Sequence, residues 1–311
     1  MPRQFTAAAA QLGPIEPGTP RRAVIARMIA LLDEARQAGC SFVVFPEMAL
    51  TPFFPRWHIP DPQAVAAHFE DRMPGPDTQP LFDATRDMGI GFYLGYCEAV
   101  PERQGLRNPG YNTAILVDAA GRIAAKYRKV HLPGNAVPDD TLKLQHLEPW
   151  YFLPGDLGFP VADLAGGRFG MLICNDRRWP EAWRMLGLQG AEIVALGYNS
   201  PSQLPDAPAQ TPLRKLHHLL PMQAAAYQNG LWVIAAAKAG EEGGCHMMGH
   251  SCVIAPTGEV VALSTTDGDE LLPCRIDLDA TALYKHAFEF TRYRRPNAYG
   301  LLTDPAYGNG T

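Results

Sequence analysis

FGMLICNDRRWPEAWRMLGL, Phe169 to Leu188, reads as a strand, a polar turn and a helix in immediate succession. The unbroken apolar run Phe169 to Ile173 predicts a buried strand, and Pro180 suits the first turn of a helix that continues to Leu188. Between them lie Cys174, Asn175, Asp176, Arg177, Arg178 and Trp179. Backbone N–H groups are free at a helix start, and the C-terminal ends of strands are where open α/β sheets place their ligands. Cys174 therefore emerges at a position suited to chemistry.

The same arrangement recurs on both sides. Ser41 to Phe45 reads as a buried strand that Pro46 stops, leaving Glu47 just past its end. Before it come a strand, Phe5 to Gln11, and a helix, Pro20 to Gln37, with Thr19 as its expected cap and Gly39 past its end. Val24, Ile25, Met28, Leu31, Leu32 and Ala35 repeat there at helical spacing and predict one buried face. A helix over Thr78 to Asp87 leads into a strand, Ile90 to Glu98. A hairpin follows, Tyr111 to Asp118 with Arg122 to Lys129, so Lys129 closes its second arm. After a loop from His131 to Leu157 and the quoted stretch, a strand over Glu192 to Leu196 runs out at Tyr198-Asn199-Ser200. A helix, Leu213 to Gln228, a strand, Leu231 to Ala237, and a hairpin turning at Pro256-Thr257-Gly258 complete the pattern. Helices alternating with strands and hairpins predict α/β layers. With no low-complexity linker, residues 1–311 read as one domain. From about Ala280 the pattern is helical and then irregular, with Arg292, Arg294 and Arg295 among aromatics. This reads as an arm across a neighbouring subunit or a tail docked on its own chain.

Composition narrows the partners. The chain has 311 residues, 47% hydrophobic and 19% charged, with a formal net charge of -5. It has ample material for a core and no basic footprint for nucleic acid. The alanine-rich start is too short for a signal peptide or a membrane span, so no membrane association and a cytoplasmic location are expected. Six scattered cysteines without a CxxC pair predict free thiols.

Three polar residues directly follow apolar strands: Glu47, Lys129 and Cys174. Each alone has an ordinary reading, the thiol as a core packer and the charges as solvated strand ends. Together they supply a nucleophile, a base to move protons and a cation where an oxyanion develops. His131, His146, His217, His218 and His250 do not form HExxH or a structural-zinc spacing, so neither a metal nor a dissociable cofactor is expected. The glycines from Gly89 to Gly95 are spaced GxGxxxG within a strand pattern and do not make a dinucleotide loop.

The contexts of Glu47, Lys129 and Cys174 resemble the three motifs of the nitrilase superfamily, and the match runs nearly end to end. The strings FPEMALTPFFPRWH (45–58), KYRKVHLPG (126–134), HLEPWYFLPGDLGFPV (146–161), ICNDRRWPEAWR (173–184) and GHSCVIAPTGE (249–259) are similar to the branch that hydrolyses N-carbamoyl-D-amino acids. The resemblance implies a four-layer αββα sandwich, no metal, and a homodimer or homotetramer packed through helical faces. It implies Glu47, Lys129 and Cys174 as catalytic residues and Glu148 as a supporting carboxylate. His131, His146, Asn175, Arg177, Arg178, Asn199 and Ser200 are implied to line the pocket of a small N-carbamoyl amino acid. Ser200 departs from the threonine of the pattern, and the proline-rich stretch Pro201 to Thr211 has diverged, which leaves side-chain preference least defined. A general aliphatic amidase or nitrilase, or a β-ureidopropionase-like hydrolase, is the alternative within the superfamily. Outside hydrolysis, a carbamoyl transferase shares the covalent half-reaction, and a thiol sensor would need only the cysteine.

Overall fold

The computed structural model describes residues 3–203 and 208–307. Fourteen strands are present among them: β1 (Gln4–Gln11), β2 (Cys40–Val44), β3 (Gly91–Ala99), β4 (Gly110–Val117), β5 (Ile123–Arg128), β6 (Val161–Leu164), β7 (Gly167–Ile173), β8 (Ile193–Tyr198), β9 (Trp232–Ala237), β10 (Ala239–Glu242), β11 (Cys245–Met248), β12 (Cys252–Ile254), β13 (Val260–Leu263) and β14 (Glu270–Asp277). The helices are α1 (Arg21–Gln37), α2 (Pro62–Ala66), α3 (Gln79–Met88), α4 (Glu148–Tyr151), α5 (Pro180–Leu188), α6 (Arg214–Asn229) and α7 (Leu278–Phe288).

Two six-stranded sheets carry the fold, in the orders β14-β1-β2-β3-β4-β5 and β13-β12-β9-β8-β7-β6. β1, β2 and β3 run parallel, as do β7, β8 and β9, and antiparallel strands flank each trio. Side chains alternate across a strand, so each sheet presents two faces. Ala7, Ala9, Phe42, Val44, Tyr93, Ala114 and Leu116 join a core with β7, β8 and β9 of the other sheet. Their sequence neighbours Ala8, Ala10, Val43, Phe45, Phe92, Ile115 and Val117 pack instead with α1 and α3. On the far side, Trp183 and Leu186 of α5 and Met222 and Ala226 of α6 cover the second sheet. The result is the αββα order of layers.

The buried residues of α1 are the six that its periodicity singles out. Its start differs from expectation: Pro20, not Thr19, is the cap, and no side chain caps the helix. The Thr19 N–H donates to the Glu16 carbonyl, in a turn that leads Pro20 directly into the helix. β14 was not evident in the sequence because Pro273 interrupts its pattern. Proline is tolerated there because β14 is an edge strand, with Pro273 opposite Ala8 of β1. The end of α7 and the start of the segment after it dock on their own chain, where Phe288 and Phe290 meet Tyr227 of α6 edge-on. Of the diverged stretch Pro201 to Thr211, residues 204–207 lie outside the described residues. Among the described residues no helix is long and apolar enough to cross a membrane.

Candidate active site

Glu47 passes between the two sheets at a point where both have glycine. A Cβ on Gly95 of β3 would stand 2.6 Å from Glu47 Cα, and one on Gly197 of β8 would collide with Glu47 N. The side chain is fully buried and satisfied. Oε1 accepts from Lys129 Nζ at 2.7 Å and from Asn112 Nδ2 at 2.8 Å, while Oε2 accepts from the Asn199 N–H at 2.9 Å.

Lys129 follows β5, and its backbone N–H donates to the Asn112 carbonyl of β4 at 2.8 Å, extending the hairpin by one step. Its ammonium is shared unequally, with two contacts to Glu148, at 2.8 and 2.6 Å, and one to Glu47. Glu148 opens α4, receives Asn112 Nδ2 at 3.3 Å and lies 3.1 Å from His146 Nε2. Burial opposes the Lys129 charge, but Glu148 and Glu47 together outweigh it and hold the ammonium protonated. Burial also opposes the Glu148 carboxylate, yet Lys129 and His146 bring its pKa below the ordinary value. For Glu47 burial wins, reinforced by the negative Glu148, and its pKa is raised. The smaller share of the ammonium, and the lack of a partner like His146 among the described residues, separate Glu47 from Glu148 on one cation. Burial lowers His146 to about 4, so the ring is neutral and its Nε2–H donates to Glu148.

Cys174 leaves β7 with φ of 45°, in the left-handed region that costs a non-glycine residue about 1–3 kcal/mol. Its Sγ donates to the Asn199 carbonyl at 3.5 Å. Asn199 thus touches both Glu47 and Cys174, and its Nδ2 also donates to the Glu47 carbonyl at 2.8 Å. Asp176 clamps the turn that carries Cys174. Its carboxylate accepts the Tyr127 hydroxyl at 2.7 Å and the N–H groups of Ile173 and His131 at 3.1 and 3.0 Å, and sits 2.7 Å from His131 Nδ1. His131 then stacks on Trp179 with ring centroids 4.7 Å apart.

The two adjacent arginines differ. Arg177 is fully buried and gives Nη1 to the Cys174 carbonyl at 2.7 Å and Nη2 to Ser200 Oγ at 2.9 Å. Arg178 is half-buried and among the described residues donates only to Asn175 Oδ1, at 3.2 Å, while Asn175 Nδ2 donates to the His131 carbonyl at 3.2 Å. The charge of Arg177, with burial second, lowers Arg178 to about 9.

The structure thus brings the residues implied for the site into one constellation, gives Asp176 of the Cys174 turn a definite part, and adds Asn112 and Arg56, which sequence reasoning missed. Asn112 bridges the two carboxylates, Asp176 holds the nucleophile turn, and Arg56 is a buried cation whose Nε and Nη2 have no partner among the described residues. A signal for Asn112 existed: it shares strand parity with the inward Ala114 and Leu116, an amide on a face otherwise apolar. Asp176 was legible only as one of the polar residues beside Cys174, and Arg56 had no signal that separated it from an ordinary turn residue. Among the described residues no group of three or more His, Cys, Asp or Glu side chains is arranged to hold a metal.

A buried thiol, a carboxylate of raised pKa linked to it through Asn199, and a lysine shared between that carboxylate and a second one are groups suited to acyl transfer from an amide. The carbon-nitrogen hydrolase family model matches residues 6–286, and the chain belongs to that family, within the nitrilase superfamily. It is 31% identical over 248 residues to a nitrilase of Pyrococcus abyssi, covering 80% of this chain and 81% of that one. It is 28% identical over 285 residues to an N-carbamoylputrescine amidase of Solanum lycopersicum, covering 88% and 87%. A carbon-nitrogen hydrolase structure from Helicobacter pylori superposes with a TM-score of 0.82 at 25% identity, over 97% of this chain and 99% of that one.

Proposed function

We propose that this carbon-nitrogen hydrolase cleaves N-carbamoyl-D-amino acids to the D-amino acid, carbon dioxide and ammonia, without metal or cofactor. The observation that carries the reading is Arg178, which has no carboxylate partner among the described residues and whose charge Arg177 destabilises. A substrate α-carboxylate would relieve both, since a planar guanidinium holds a carboxylate through two parallel hydrogen bonds. The tomato relative is named for a carbamoyl substrate, which supports the carbamoyl half of the assignment. The D preference rests on the long shared strings around Glu47, Lys129, Glu148 and Cys174.

In this mechanism the Cys174 proton passes to Glu47 as sulfur attacks the carbamoyl carbon. Lys129 and the Asn175 N–H, in the first turn where amides lack helical partners, receive the oxyanion, and losing one such donor costs about 3 kcal/mol of transition-state stabilisation. Collapse breaks the bond to the amino-acid nitrogen, which takes the proton from Glu47 and leaves a carbamoyl thioester. Water then gives a proton to Glu47 and its hydroxide to the thioester carbon. The departing sulfur regains that proton, and carbamic acid decomposes to carbon dioxide and ammonia. A carboxylate with a raised pKa serves both transfers better than an ordinary one.

The same reading takes the working form as a homodimer or homotetramer. Met185, Leu188, Leu216 and Leu220, all more than a third exposed on α5 and α6, are apolar surface that such an assembly would cover. Ammonia release is the deciding assay, run on paired N-carbamoyl-D- and L-amino acids and on the matching N-alkylurea without a carboxylate. The D-acid should be favoured strongly, and Arg178→Lys, which keeps charge but loses the fork, should lose about 10-fold or more of that preference. Equal rates on acid and alkylurea would replace the assignment with a general aliphatic amidase.

A further inference from the structure

We propose that Arg177 is a catalytic residue of the nucleophile itself, the counter-charge of the Cys174 thiolate and the pin of its strained backbone, while Arg178 alone takes the substrate carboxylate. The second half rests on the function proposed above; the first does not.

The geometry separates the two guanidinium groups. Arg177 Nη1 lies 2.7 Å from the Cys174 carbonyl and 3.6 Å from Cys174 Sγ, so one donor addresses both polar atoms of the nucleophile. Nη2 is fixed on Ser200 Oγ, and the guanidinium carbon sits 4.9 Å from the Tyr198 ring centroid. These anchors aim the group at the sulfur. Arg177 is fully buried and forms no salt bridge among the described residues, so it is a buried cation without a counter-ion. An anion generated beside it gains a counter-charge that the resting site does not provide.

Turnover generates that anion. The neutral thiol donates to the Asn199 carbonyl, but a thiolate would face that oxygen lone pair to lone pair. The proton goes to Glu47, which Asn199 links to the sulfur, and Arg177 Nη1 is then the donor in contact with sulfur. Other charged and titratable groups face Cys174 from elsewhere. Lys129 after β5 directs its contacts to Glu47 and Glu148. Arg56, in the turn Phe54–Arg56, donates to the Gln145 carbonyl, and Arg214 of α6 donates to the Pro201 carbonyl. The phenols of Tyr93 on β3 and Tyr198 on β8 donate to backbone carbonyls, and Arg178 turns toward Asn175. The same Nη1 contact to the carbonyl holds Cys174 at its positive φ, so charge and position come from one side chain.

The test is the pH dependence of Cys174 alkylation by iodoacetamide in the full-length protein, followed by peptide mass spectrometry between pH 5 and 10. Arg177→Met should raise the alkylation midpoint by about one pH unit or more, a tenfold slower reaction below it, because the thiolate is the reacting form. Arg177→Lys, which retains the charge, should stay within about half a unit of wild type. Arg178→Met, which removes a guanidinium that donates to Asn175 rather than to the sulfur, should move the midpoint clearly less than Arg177→Met while losing the preference for the carboxylate-bearing substrate. A folded Arg177→Met protein with an unchanged midpoint would reduce Arg177 to scaffold and overturn the proposal. If Arg177→Met does not fold, the other two variants decide: a Lys midpoint displaced by a full unit, or an equal displacement in Arg178→Met, overturns it as well. Alkylation needs no substrate, so a chain that proves to cleave other amides still tests Arg177. An unchanged midpoint with the carboxylate preference intact leaves the substrate assignment standing.

Discussion

Lys129 makes two contacts with Glu148, at 2.6 and 2.8 Å, and this pairing leaves Glu47 a single contact from the same ammonium. One carboxylate is thereby held ionised and the other left easier to protonate, which separates the roles of two chemically identical side chains.

That division predicts a pH effect with a definite sign. The negative Glu148 raises Glu47, and Lys129 lowers it. Glu148→Gln removes the first influence and frees Lys129 to pair with Glu47 alone, so the pKa of Glu47 should fall. The acid limb of the kcat/KM profile should move to lower pH, while the maximal rate drops because Lys129 loses its second anchor. An acid limb displaced upward would mean that Glu148 acts on Glu47 mainly through position rather than charge.

The thiols should differ sharply in reactivity. Burial pushes Cys40 up to about 11 and Cys252 to about 12, and it raises Cys97, Cys245 and Cys274 as well. Limiting alkylator near neutral pH should therefore modify Cys174 first and abolish turnover, with one label per chain. Cys174→Ala should release no ammonia, whereas Cys40→Ala should remain active when folded. Dialysis against a strong chelator should leave the rate unchanged; restoration of a chelator-lost rate by zinc would require a metal in the mechanism.

Gly197 is predicted to be required for the placement of Glu47 rather than for the flexibility of β8. A methyl group there meets the backbone of Glu47 and Pro46, which cannot rotate away. Gly197→Ala should cost about 1–3 kcal/mol of stability from overpacking, and kcat should fall further than the melting shift explains, because Glu47 is displaced. Gly268→Ala, where a methyl group meets nothing within 4 Å, is the matched control. A Gly197→Ala enzyme with wild-type kcat and melting temperature would show that the sheets separate easily at this point.

Local periodicity was sufficient for much of the fold. Val24, Ile25, Met28, Leu31, Leu32 and Ala35 announce the buried face of α1 because a helix repeats every 3.6 residues whatever it packs against. Phe45-Pro46-Glu47 and Ile173-Cys174 announce polar residues at strand ends because an apolar run and the residue that stops it are neighbours in the chain. What lies between strands distant in sequence was not legible. Asn112 reaches Glu47 from 65 residues away, and the two glycines that flank Glu47 belong to different sheets. Arg177 and Arg178 are chemically the same and adjacent, so their sequence assigns them one role. The sequence by itself determined the layers, the strand ends and the kinds of chemistry available, since burial period and residue type are local properties. Only the tertiary structure decided that one guanidinium contacts the nucleophile and the other contacts Asn175, because that choice depends on Ser200, Tyr198 and the left-handed turn at Cys174 meeting in space.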